Sequence, residues 1–401
     1  MDRTELELLS PAGDTERLTM ALHYGADAVY LAGTRYGMRA SAGNFDDAQM
    51  LEAVKLAHER GVKVYVTCNT LPREDELEGL PRYLGYMQDI GVDAFIIADL
   101  GVLELAKKHA PHVKKHVSTQ LGVINSATAN ALYALGADTV VLARETPMAD
   151  IRKIRANTPE DLRIEAFVHG AMCVSFSGRC LLSNYLTGRD ANRGQCAQPC
   201  RWKYHLMEET RPGEYFEITE DNGTFIMNSR DMCMIEHLPE LIDAGVTSFK
   251  IEGRMKSAYY CAVVTNAYRQ AIDAAITGKP LDKIWIEETE KVSHRPYTTG
   301  FYYGDPGQHY AATSYYSLTD VGAIVERCDE NGNAVLSQRN KFYKTDELEL
   351  LIPGEKPVKF TVERMYNSEG EEIEDTRHAM MEIHMKLPVY APRYSVVRKY
   401  R

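Results

Sequence analysis

Five times in this chain a glycine closes an amphipathic stretch and opens a short run of β-branched and aromatic residues. The runs are Gly25-Ala-Asp-Ala-Val-Tyr-Leu, Gly61-Val-Lys-Val-Tyr-Val, Gly91-Val-Asp-Ala-Phe-Ile-Ile, Gly136-Ala-Asp-Thr-Val-Val-Leu and Gly245-Val-Thr-Ser-Phe-Lys-Ile. Glycine takes up the left-handed conformation that ends a helix without a Cβ penalty. A short apolar run after it reads as a strand buried on both faces, the kind found in parallel sheets. The repeating unit is therefore helix, glycine stop, parallel strand. Parallel strands need a crossover of a dozen or more residues, and stretches such as Asp46 to Arg60 and Glu76 to Ile90 supply it.

Such runs give eight predicted strands: Leu6–Pro11, Ala28–Ala32, Lys63–Asn69, Ala94–Asp99, His116–Gln120, Thr139–Arg144, Arg163–Gly170 and Ser248–Arg254. Eight βα units predict an α/β fold, a (β/α)8 TIM-like barrel. An open doubly wound sheet is the alternative, but no Gly-x-Gly-x-x-Gly follows the first strand. The spacing breaks once, where residues 171–247 form an insertion after strand seven. Within it, Tyr204–Met207 and Phe225–Asn228 read as a hairpin around the turn residues Asp221-Asn222-Gly223. From about Tyr315 the chain alternates apolar and polar residues between turns, which predicts a small all-β barrel. The predicted domains are 1–300, the barrel with its insertion, and 301–401.

The longest apolar candidate, Ala94 to Ala106, is broken by Asp99 and Glu104, so no membrane-spanning helix is expected. The N-terminus has neither a basic region nor an apolar run after it, and a cytoplasmic protein is expected. A net charge of −11 argues against a protein coated along its length by nucleic acid. A local basic patch remains compatible with it.

Four of the eight cysteines crowd into the insertion, as Cys173-x6-Cys180-x15-Cys196-x3-Cys200. In a reducing compartment such a cluster points to metal. Four thiolates satisfy either tetrahedral zinc or a [4Fe–4S] cluster. Only Cys196 and Cys200 have the spacing of a zinc knuckle, and the position over a barrel mouth tilts the reading toward iron–sulfur. The same segment carries Arg179, Arg189, Arg193, Arg201 and Lys203 against Asp190 alone, with Phe176, Tyr185, Trp202 and Tyr204 interleaved. Phosphate contact and base stacking need such residues. Folding of the loop itself, or hydrogen bonds to sulfur, would also use the arginines.

Barrel chemistry sits at the C-terminal ends of the strands, which here offer Asn69, Asp99, Gln120, Arg144, Glu145, His169, Glu252 and Arg254. The guanidinium forks of Arg144 and Arg254 match carboxylate or phosphate, and Asn69 and Gln120 are further substrate-binding candidates. His169 is the candidate for proton transfer, with Glu145 and Glu252 as its partners. Some of these residues would instead cap helices or pair with one another. Neither a His-Glu-x-x-His helix nor a Gly-x-Ser-x-Gly elbow occurs.

The stretch from Glu165 through His169, Cys173 and Cys180 to Ser183 resembles the signature of peptidase family U32, the collagenase-like group. Glu7 to Gly13, Gly25 to Tyr30, Asn228 to Asp231 and Lys250 to Arg254 also match it. Within the family the chain is most similar to the branch of tRNA hydroxylation proteins, through Cys173–Cys180, Asn192–Trp202 and Tyr259–Cys261. That resemblance implies hydroxylation of the wobble uridine of tRNA to 5-hydroxyuridine, dependent on prephenate and on a [4Fe–4S] cluster. It implies Cys173, Cys180, Cys196 and Cys200 as ligands, with Cys233 as an alternative fourth. The alternatives are a collagenase-like peptidase, for which no nucleophile or water-activating metal site is evident, and a tRNA-binding redox protein without catalysis. By analogy with relatives, a paralogue of the same family is a partner to test.

Overall fold

The computed structural model describes residues 5–38, 43–173, 175–176, 179–202, 206–207, 215–216, 229–307 and 316–401. Eight parallel strands follow one another around a closed barrel: β1 (Glu7–Pro11), β2 (Ala28–Leu31), β3 (Lys63–Cys68), β4 (Ala94–Ile97), β5 (Lys114–Val117), β6 (Thr139–Val141), β7 (Arg163–Ala171) and β8 (Ser248–Ile251). Pairing of β8 with both β1 and β7 closes the ring. All five repeat glycines have positive φ, between 71° and 99°. The aspartate two residues later has a shared role. Asp27, Asp93 and Asp138 accept the backbone N–H of Leu8, Val64 and Lys115 on the preceding strand, at 2.7–2.8 Å. Three of the five repeats thus carry their own strand-to-strand tie, while Lys63 and Thr247 stand at this position in the other two.

Strand alternation divides the side chains. Leu9, Tyr30, Tyr65 and Ile96 pack inside the barrel, while two larger apolar clusters fill the shell between strands and helices. The long last helix, Ala258–Thr277, is buried along most of its length. Strand β7 outgrows the barrel. Its lower half pairs with β8, and its end pairs antiparallel with Asp231–Cys233, which in turn holds Tyr297–Thr298.

An eight-stranded antiparallel sheet follows, from Thr319 to Tyr400, curled into a half-barrel. Its Ile324, Leu351 and Val396 belong to the apolar cluster of the barrel. Arg398, fully buried, donates to Glu288 at 2.8 and 2.6 Å and to Glu349 at 3.0 Å. Glu288 lies on the helix Lys283–Glu290, so this ion network ties the sheet to the barrel's last helices. In the insertion, Leu206–Met207 pairs with Tyr215–Phe216. The predicted partner Phe225–Asn228 and its Asp221–Gly223 turn lie outside the described residues. Among the described residues, no helix is long and apolar enough to cross a membrane.

Candidate active site at the barrel mouth

The lower barrel interior is charged. Glu7 accepts from Tyr65 at 2.6 Å, Ser248 at 3.0 Å, Lys63 at 3.1 Å and Arg163 at 3.2 Å. Burial opposes ionisation of this carboxyl, but the charges of Arg163 and Lys63 and the Tyr65 hydroxyl outweigh it and bring it to about 2. Above it, Lys250 donates to Glu165 at 2.6 Å, and both are buried. Lys250 is the lone charge of its strand, and Glu165 is a fully buried acid within β7; sequence reasoning passed over both signals. The Lys250 ammonium also lies 4.8 Å from the centre of the Tyr30 ring.

Over this floor is a cavity of about 140 Å3. Asn69, Gln120, Arg144, Glu252 and Arg254 line it, together with Cys173, Cys180, Cys196 and Cys200. The structure thus gathers nine of the predicted site residues, from four strand ends and the insertion, around one space. Lys250, Tyr30 and Thr67 join them. Asn69 and Gln120 are bonded to each other, amide to carbonyl, at 3.0 Å, and Ser118 donates to the same Gln120 oxygen at 3.1 Å. Arg144 donates to Glu252 at 2.6 Å, and its guanidinium lies 4.0 Å from the centre of the Phe167 ring.

The cysteine segment is built to face inward. Asn192 clamps Cys180 by accepting from its N–H at 3.3 Å and donating to its carbonyl at 3.2 Å. Between Cys196 and Cys200, Gln198 holds φ at 58°, a left-handed turn that side chains with a Cβ rarely adopt. Arg193 grips Glu76 with two bonds of 2.8 and 2.6 Å and so pins the segment to the short helix Glu74–Leu77 that follows β3. That is the loop-folding use of an arginine. Arg179 and Arg189 are exposed, as are Phe176, Tyr185 and Trp202. Lys203 and the side chain of Arg201 lie outside the described residues.

Backbone N–H groups of Leu182 and Gln198 point at the sulfurs of Cys180 and Cys196, each at 3.4 Å. No cysteine is in a disulfide. Among the described residues no three His, Cys, Asp or Glu side chains are gathered to hold a metal ion. The four cysteines all line the one cavity. A single zinc needs its sulfurs about 2.3 Å away on every side, whereas a four-iron cluster takes one thiolate at each well-separated corner and is tuned by N–H groups to sulfur. In kind and number, four thiols of one segment match the donor set of such a cluster.

Four candidate residues, Glu145, His169, Cys233 and Asp99, are not brought to the cavity. Glu145 is half-buried beside Arg144 but does not line it. His169 is 1% exposed and lies outside the barrel wall, with Tyr268 and Tyr297 hydroxyls 3.3 Å from its two ring nitrogens. The cause is a bulge. Lys250 faces Phe167 but Ile251 faces His169, so Val168 is an extra residue that reverses the phase of β7. Burial, with His294 and Lys256 nearby, keeps the His169 imidazole neutral, well below its usual pKa. Cys233, opposite His169, faces the same tyrosine at 3.7 Å and not the cavity. Asp99 caps the helix Leu100–His109 by accepting from Val102 at 3.0 Å.

The family model described as peptidase family U32 matches residues 13–312, and that of its C-terminal domain matches 319–398. The chain belongs to peptidase family U32. Among the similar proteins, tRNA hydroxylation protein P1 of Bacillus subtilis is 38% identical over 391 residues, covering 95% of this chain and 92% of that protein. The tRNA hydroxylation protein P of Escherichia coli is 37% identical, covering 91% and 90%. An uncharacterized protease of Methanocaldococcus jannaschii is 42% identical, covering 80% of each. The U32 match spans both the barrel and the antiparallel sheet.

Proposed function

We propose that this protein hydroxylates RNA, and that its substrate is the wobble uridine of tRNA, converted to 5-hydroxyuridine with prephenate as co-substrate or effector. The names of the two bacterial relatives that span nearly the whole chain support the RNA reading. The observation that carries it is the cavity itself, where four thiols of one segment meet three cationic side chains at a barrel mouth. Cys173, Cys180, Cys196 and Cys200 would hold a [4Fe–4S] cluster. Such a cluster takes up and releases single electrons.

The chain's own residues do the rest. Arg144 and Arg254 bind the carboxylates of a small dianion, with Lys250 as a third cation at the floor. The oxygen of Gln120 is taken by Asn69 and Ser118, so its amide N–H groups are free to donate to that ligand. Glu252 is the one carboxylate of the three predicted proton-transfer residues that lines the cavity, and it is the group placed to take a proton from the reacting base. The exposed Phe176, Tyr185 and Trp202, with Arg179 and Arg189, form the face toward RNA.

The test is an anaerobic preparation analysed for iron, sulfide and zinc, then incubated with tRNA, reductant and prephenate before nucleoside mass spectrometry. About four irons and four sulfides per chain, with new 5-hydroxyuridine, are expected. One zinc without iron, together with gelatin cleavage by protease-free protein, would replace this reading by the peptidase that the family name suggests.

A further inference from the structure

A second cleft opens on the other side of the same thiols. Arg144, Cys173, Cys196, Cys200 and Glu252 line both it and the inner cavity. Three sulfurs and the Arg144–Glu252 ion pair therefore form a partition with open space on each face. The two spaces differ in character. The inner one ends on Tyr30, Phe167 and Lys250, buried side chains of barrel strands. The outer one is larger, about 320 Å3, and its wall includes Gln198, Gly253, Met255 and Lys256. Met255 is 47% exposed there. Lys256 is held in place, donating to the Ser293 carbonyl at 2.7 Å and lying 3.9 Å from Asp231.

We infer that the two spaces hold two substrates at once, a small polyanion inside and a single RNA base outside, each facing the partition. The inference rests on the RNA reading and says where its substrates sit. A base stays tethered to a solvated, charged backbone, so its pocket must open at the surface. The outer cleft carries the half-exposed Met255 on its wall, whereas the inner space ends on side chains of the barrel strands. Three cations, Arg144, Arg254 and Lys250, reach the inner space, which suits a small molecule with more than one carboxylate. The outer wall offers instead a polarisable thioether on which a flat base can lie, a fixed ammonium beside it for phosphate, and a donor and acceptor side by side in Arg144 and Glu252. Both ligands then border the same cysteines from different spaces.

The experiment uses cluster-loaded protein and an anticodon stem-loop RNA carrying 4-thiouridine at the wobble position. Photocrosslinks are mapped by peptide mass spectrometry with and without saturating prephenate. Crosslinks are expected in residues 196–200 or 253–256, and they should persist with prephenate present. Met255→Glu should weaken RNA binding about tenfold, the loss of one stacking contact, and leave prephenate affinity unchanged. Asn69→Ala, in the inner wall, should do the reverse. Crosslinks to Tyr30 or Phe167, loss of crosslinking when prephenate saturates, or equal effects of both variants on both ligands would overturn the two-chamber arrangement while leaving RNA as substrate. Absence of any RNA binding by the unaltered protein would instead overturn the proposed function, and this inference with it.

Discussion

Two ion pairs stacked in the same barrel, Lys250–Glu165 at the floor and Arg144–Glu252 at the mouth, have the same N···O separation of 2.6 Å and opposite characters. The floor pair is 6% and 0% exposed and joins two strands whose register is fixed by the closed sheet. The mouth pair is 10% and 22% exposed and borders two open spaces. A buried charge that loses its partner keeps the desolvation cost, while one beside open space can exchange its partner for water or a ligand. The floor pair therefore holds the framework while its Lys250 ammonium also lines the cavity, and the mouth pair is the one that can exchange its partner for a ligand.

The largest expected effect is at the mouth and concerns activity alone. Cys196→Ser should abolish the visible cluster absorbance and hydroxylation together, leaving the thermal transition of the barrel in place; hydroxylation by colourless protein would refute the ligand assignment. At the floor the effect moves to stability. Lys250→Met leaves Glu165 buried without its cation and should cost about 3–5 kcal/mol, a fall in melting temperature on the order of 10 °C. Adding Glu165→Gln should recover part of it, and additive losses in the double variant would mean the two side chains are not coupled.

Acid should destabilise the barrel floor. Burial, reinforced by Arg163 and Lys250 against the attraction of Glu7, pushes His116 from 6.5 down to about 3. Glu7 is held at about 2 against an ordinary 4.5. As pH falls below about 6.5, the unfolded chain binds a proton at His116 that the folded barrel refuses until about 3. Below about 4.5 the unfolded chain protonates Glu7 as well, and that part of the stability is gone near 2. Melting temperature should therefore drop between pH 7 and 4, and His116→Gln should flatten the upper part of that drop. An unchanged profile would place the acid sensitivity elsewhere.

The smallest effect is expected where the mouth is fastened. Arg193 and Glu76 are 28% and 35% exposed, and such a pair contributes about 0.2–1 kcal/mol. Arg193→Ala should leave the global melt nearly unchanged while speeding limited proteolysis within residues 179–202. Equal proteolysis of both proteins would show that the clamp on Cys180 by Asn192 suffices.

How much of this could be read from the chain follows from the range of each signal. The helix–glycine–strand repeat is local, and it determined the eight strands, their order and the closed barrel. Crowding of Cys173, Cys180, Cys196 and Cys200 into one segment after β7 likewise set them over the mouth, and strand ends named Asn69, Gln120, Arg144, Glu252 and Arg254. Only the tertiary structure decided what depends on register between distant strands. The bulge where β7 meets β8 turned His169 to the outer face, because one extra residue reverses a two-residue period. Barrel closure paired Lys250 with Glu165 across 85 positions of sequence, and loop packing gave Arg193 to Glu76 and divided the mouth into two spaces. Periodicity is written in neighbouring residues; phase, partner and cavity arise only when the sheet closes on itself.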